Sequence, residues 1–147
     1  MDIIYTSLET KLSECHPEIK RGLESIIALD FTEMKQKFVI DEDFIGWDES
    51  NIVFAEVLYK NYLFLNLKYP KKEHLPPSND IDDFWHGHIL DTRRYYKDCK
   101  EIFGQILHHN PYFGYQNIIE KKSLDKSFHV IQDLHKLEFG DFMYEVR

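Results

Sequence analysis

The chain is poor in cysteine, glycine and proline. Its two cysteines, Cys15 and Cys99, stand far apart. That excludes a disulfide framework and fits a reducing, cytoplasmic setting. Six glycines and five prolines in 147 residues exclude low-complexity repeats and long flexible linkers. Positive charge is also scarce. Eighteen Lys and Arg face 26 Asp and Glu, for a formal net charge of -8 and a pI of about 5.4. The average field repels a phosphate backbone, so no nucleic-acid partner is expected. Tyr69-Pro70-Lys71-Lys72 and Glu120-Lys121-Lys122 are short basic stretches that read as solvated loop or helix-end charges. The most apolar stretch, 52–67, is broken by Glu56, Lys60, Asn61 and Asn66, so no membrane span is expected. Met1-Asp2-Ile3-Ile4-Tyr5 has no basic stretch followed by an apolar run, the mark of a secretory leader.

What is present is apolar surface in quantity. Hydrophobic residues make up 43% of the chain and aromatic residues 15%, enough to build one core. The expectation is an all-α bundle of about five or six helices, in a single domain over 1–147. Leu8, Leu12 and Cys15 follow helical spacing until Pro17, and Ile19, Leu23, Ile26 and Ile27 resume it. Phe31, Met34 and Phe38 suit a further helix, with Val39-Ile40-Asp41 and Phe44 to Trp47 as loop. Asp48 or Ser50 caps a helix to about Lys68, apolar nearly all round and therefore central, with Val53, Val57, Phe64 and Leu67 on one side. Pro70 ends it. Asn79 is the next expected cap, followed by one helix to Phe103 and a stop at Gly104. Ser123 is expected to cap a last helix with Leu124, Phe128, Ile131 and Leu134 on its core face.

The expected functional centre is 79–114. On a continuous helical wheel over 81–103, Ile81, Phe84, Trp85, His88, Thr92, Tyr95, Tyr96, Cys99, Ile102 and Phe103 share one broad face. Asp83, His86, Arg94, Lys97 and Glu101 lie opposite. Residues two apart on a helix diverge, so His86 and His88 do not serve one ion on a regular helix. His88 faces the core and meets Asp91 one turn on. His86 points outward, near Asp82 and Asp83. An imidazole oriented by a carboxylate suits a divalent metal such as zinc or iron, general acid-base chemistry or a plain structural hydrogen bond.

A second group follows in Leu107-His108-His109-Asn110-Pro111-Tyr112-Phe113-Gly114. Folded back over the first, it offers one or both histidines to a common site. The candidate ligands are then His88, Asp91, His108 and His109, with His86 and Asp82 as outer support or a fourth ligand. Trp85, Thr92, Tyr95, Cys99 and Tyr112 are supporting residues. Each of these residues also has a plainer structural reading. His88 also reads as a satisfied core histidine and Cys99 as inert packing. Tyr95, Tyr96, Tyr112 and Phe113 read as core aromatics. His16, His74, His129 and His135 do not cluster and are expected in solvent.

The run from Leu75-Pro76-Pro77-Ser78 through Trp85-His86-Gly87-His88-Ile89-Leu90-Asp91-Thr92, with Tyr95, Asp98-Cys99 and Phe103-Gly104 after it, resembles the glycine-rich domain-containing protein-like family. The later His108-His109-Asn110-Pro111-Tyr112-Phe113-Gly114 is similar to that family's second block. The resemblance implies an intracellular helical domain and marks Trp85, His86 and His88 as residues that matter. It assigns no reaction.

Two functional readings follow. One is an intracellular metal-binding helical protein with a His/Asp site, extending to a metalloenzyme acting on a small or peptide substrate. The other is a non-catalytic interaction module. There the His/Asp/Trp residues form a buried polar network, and an aromatic surface at Tyr112, Phe113 and Tyr115 meets a protein or peptide partner.

Overall fold

The computed structural model describes residues 4–40, 47–70, 75–109 and 118–144, with side chains from 126 onward in the last segment. These residues form helices only, in the order α1 (Leu8–Lys11), α2 (Pro17–Ile27), α3 (Thr32–Ile40), α4 (Glu49–Lys68), α5 (Asn79–Leu90), α6 (Thr92–Phe103) and α7 (Ile118–Phe139). The all-α expectation holds, and among the described residues there is no strand.

α4 is the axis. Asp48 caps it by accepting from the Asn51 amide at 2.8 Å, and its second half is buried on every side from Asn61 to Leu65. α2, α3, α5 and α7 all pack against it. Its first half is two-sided, with Ile52, Ala55 and Leu58 buried. Of the residues expected to share one side, Phe64 is buried, but Val53 and Val57 are 57% and 41% exposed. Periodicity in so apolar a helix does not single out a face. α7 begins at Ile118, ahead of the cap expected at Ser123. It buries Ile131, His135, Glu138 and Phe139. Leu124, expected on its core face, lies outside the described side chains.

Two glycines fix how close the helices come. A Cβ on Gly87 of α5 would stand 2.5 Å from the Phe38 ring of α3. One on Gly22 of α2 would stand 2.6 Å from the Ile102 carbonyl of α6. Both contacts are far inside van der Waals range, so a larger residue at Gly22 must push against the α6 backbone and one at Gly87 must displace the Phe38 ring.

The largest departure lies in the histidine-bearing segment. It is not one helix. The backbone breaks at Asp91 (φ -83, ψ 73), and α6 folds back against α5. Asp91 and Thr92 are residues that favour helix starts, but with no Gly or Pro beside them the break left little trace in the pattern. α5 is capped by Ser78, whose hydroxyl accepts from the Ile81 amide, one position before the expected Asn79. α6 ends at Gly104 in the left-handed conformation (φ 75), as expected.

His135, expected in solvent, is fully buried between α4 and α7. Its Nε2 meets the Asn61 amide nitrogen at 3.2 Å, and its Nδ1–H donates to the Asp141 carbonyl at 2.7 Å. Tyr5 packs edge-on against the ring. Burial holds the imidazole down to about 4, against an ordinary 6.5. The unfolded chain thus takes up a proton at a pH where the fold does not. This contribution is complete above about pH 6.5 and is lost as the pH falls towards about 4, amounting to roughly 3 kcal/mol. Urea denaturation between pH 7 and 4.5 is expected to show that loss, with a shallower decline in His135→Gln. Equal slopes in the two proteins would rule out His135 as the source.

Candidate metal centre

α4, α5 and α6 meet at a buried polar triad. The Tyr59 hydroxyl donates to His88 Nδ1 at 2.7 Å, and His88 Nε2–H donates to Asp98 Oδ2 at 2.8 Å. Tyr59 is 0% and His88 1% exposed. Phe31, Tyr59 and Tyr95 stand edge-on around the imidazole. Burial also pushes the Tyr59 hydroxyl far above its usual range, so it stays a proton donor. The arrangement uses each atom once, with a carboxylate that only accepts and an imidazole that does both. Both ring nitrogens of His88 therefore have protein partners, and neither points to a shared ion.

The expected pair of His88 with Asp91 does not form. Asp91 is exposed at the helix break, with its carboxylate 3.5 Å from Arg94. On one continuous helix, Asp98 would sit about 15 Å along the axis from His88. The fold-back at Asp91 removes that distance. Asp98 left a signal of its own, because it lies between Tyr95 and Ile102 on the buried stripe of α6. A wheel drawn straight through Asp91 hid its partner.

The metal-capable group lies on the other side of α5. Asp82, His86 and His109 bring three ligand atoms within 4.8 Å of one another. His109 Nε2 is 2.5 Å from Asp82 Oδ1, His86 Nε2 is 3.2 Å from His109 Nε2, and His86 Nε2 is 3.3 Å from Asp82 Oδ2. Asp82 and His86 are one turn apart on α5, so they share a face. His109 arrives from the segment that follows α6. The side chains are 31%, 50% and 15% exposed in the order Asp82, His86, His109. The group is therefore walled by protein at His109 and open to water at His86.

His109 owes its place to a brace. Its ring lies against the Trp85 indole, centroids 4.4 Å apart. Trp85 Nε1–H donates to the Tyr95 hydroxyl at 3.0 Å, and that hydroxyl donates to the Leu107 carbonyl. The buried Cys99 thiol lies against the Leu107 backbone and the Tyr95 hydroxyl, and burial pushes it up from its usual range. His108 is exposed and stands outside the group of three. Thr92 is exposed at the start of α6. Tyr112, with Phe113 and Tyr115, lies outside the described residues.

The three donors suit one cation. Two imidazole Nε2 atoms converge on the two oxygens of one carboxylate, His109 on Oδ1 and His86 on Oδ2. A divalent ion bound there would be held by Asp82, His86 and His109 together.

Among the described residues no helix is long and apolar enough to cross a membrane. No curated protein and no solved structure matches the chain. A family model, UCP032817-like, matches residues 24–132, a span that holds the buried triad, the brace and all three candidate ligands. The chain belongs to the UCP032817-like family.

Proposed function

We propose that this is a metal-binding helical protein whose centre is Asp82, His86 and His109. The observation that supports it is the convergence of the three donor atoms within 4.8 Å, two of them on α5 and one carried in from beyond α6. Two imidazoles and one carboxylate form a donor set suited to zinc or iron(II). Three protein ligands with one side open to water leave coordination positions for water or a substrate atom. Such a site favours hydrolytic or oxidative chemistry on a small or peptide substrate over a closed structural role.

The residues have distinct parts in this reading. His86 and Asp82 hold the ion from α5. His109 closes the site and ties the segment after α6 to that helix. His88 and Asp98 keep α5 and α6 in register and touch no ion.

The test is the metal content of protein purified without an affinity tag. One zinc or iron per chain is expected, removable by chelator and restored on addition. Metal-free protein that takes up neither ion at micromolar concentration would overturn the reading and favour the alternative of a non-catalytic interaction module. The buried Tyr59–His88–Asp98 network would serve that module equally well.

A further inference from the structure

Resting on that reading, we infer that Trp85 and Tyr95 are positioning residues of the metal centre, which set the place of His109 without touching the ion. His109 belongs to no helix, so no backbone hydrogen-bond ladder holds it. Its backbone is fixed two residues earlier, where the Leu107 carbonyl accepts from the Tyr95 hydroxyl. Its ring is braced by the Trp85 indole, tilted 48° to it with centroids 4.4 Å apart. These two supports are one unit, because the Trp85 indole N–H donates to the same Tyr95 oxygen at 3.0 Å.

A tyrosine hydroxyl has one proton to give and lone pairs to receive. Tyr95 uses its proton on Leu107 and a lone pair on Trp85, so its oxygen is the joint between indole and chain. Trp85 is only 4% exposed and is backed by Tyr62, ring centroids 5.3 Å apart. The wall behind His109 is therefore rigid. Trp85 also shares α5 with Asp82 and His86. One helix thus supplies two donors and the surface that aims the third. Groups that orient a ligand without binding the ion typically alter metal affinity by about 10–100-fold when removed.

The test uses cobalt(II) as the probe, in the whole chain, with Tyr95→Phe and Trp85→Phe. Tyr95→Phe keeps the ring that packs on His88 and removes the hydroxyl that joins Trp85 to Leu107 and also meets the Cys99 thiol. Trp85→Phe keeps an aromatic wall and removes the donor. Binding is followed by titration, and the ligand field by the visible d–d absorption of the bound ion. Both variants are expected to bind about tenfold more weakly with a changed d–d band, while far-UV circular dichroism stays that of the wild type. A role confined to folding would move stability and leave the band of the bound ion unchanged. If the wild type binds cobalt and both variants match it in affinity and spectrum, the positioning role is overturned and the metal site stands. If the wild type binds no cobalt, both are overturned.

Discussion

His88→Ala is expected to cost about 3–5 kcal/mol of stability, measured by urea denaturation in the presence of chelator. The substitution strands the Asp98 carboxylate and the Tyr59 hydroxyl in a site where His88 is 1% exposed, and it leaves a cavity ringed by Phe31, Tyr59 and Tyr95. An unpartnered buried charge costs more than the pair it belonged to contributes. Small domains hold only about 5–15 kcal/mol in total, so this one change removes a large share. Asp98→Asn is expected to cost less, about 1–2 kcal/mol, because an amide oxygen still accepts from His88 Nε2–H. The order of the two variants matters as much as their size. A loss below about 1 kcal/mol in His88→Ala would mean that the triad does not hold α4, α5 and α6 together. Chelator removes any contribution from a bound ion, so a full effect there assigns His88 to folding.

His109→Ala is expected to do the opposite. In metal-free protein the loss should be smaller than in His88→Ala, because Asp82 is 31% exposed and keeps His86 beside it, so no buried charge is stranded. Its effect on zinc should be large. Removing one of three ligands is expected to weaken binding by on the order of 100-fold or more, beyond the range for outer partners. Zinc at about 100 times its Kd stabilises a folded protein by roughly 2.7 kcal/mol. Differential scanning fluorimetry should therefore show a zinc-dependent rise in Tm for the wild type and none for His109→Ala or Asp82→Ala at the same zinc concentration. His108→Ala, exposed and outside the group, should behave as wild type. A wild-type rise that survives in His109→Ala would place the ion elsewhere.

The two sets of variants separate what the histidine-rich segment left merged. Its helical character was legible, because the apolar spacing from Ile81 to Ile102 is regular and Gly104 is a strong stop. The divergence of His86 and His88 was legible too, since it follows from helical geometry alone. What could not be read was the break at Asp91. Without Gly or Pro the pattern runs on smoothly, yet that break carries Asp98 to His88 and Tyr95 to Trp85 across ten positions of sequence.

The spatial pairing of these residues was misread for the same reason. His88 was matched with Asp91 because a continuous helix offered no other carboxylate. The outward residues Asp82 and His86 then seemed to have nothing to face. Their neighbour His109 was grouped with the inward face instead. A long-range contact between an exposed helix face and a returning chain segment leaves no periodic signature. His135 failed on similar grounds. Its partners, Asn61 and the Asp141 carbonyl, come from two separate stretches of chain, and a lone histidine carries no mark of either.

The most direct measurement is a histidine-selective nuclear magnetic resonance titration of metal-free protein with zinc. The account predicts that the imidazole signals of His86 and His109 shift together and saturate at one zinc per chain, while those of His88, His108 and His135 stay in place. Displacement of the His88 signals by zinc, or saturation without any change at His86 and His109, would contradict it.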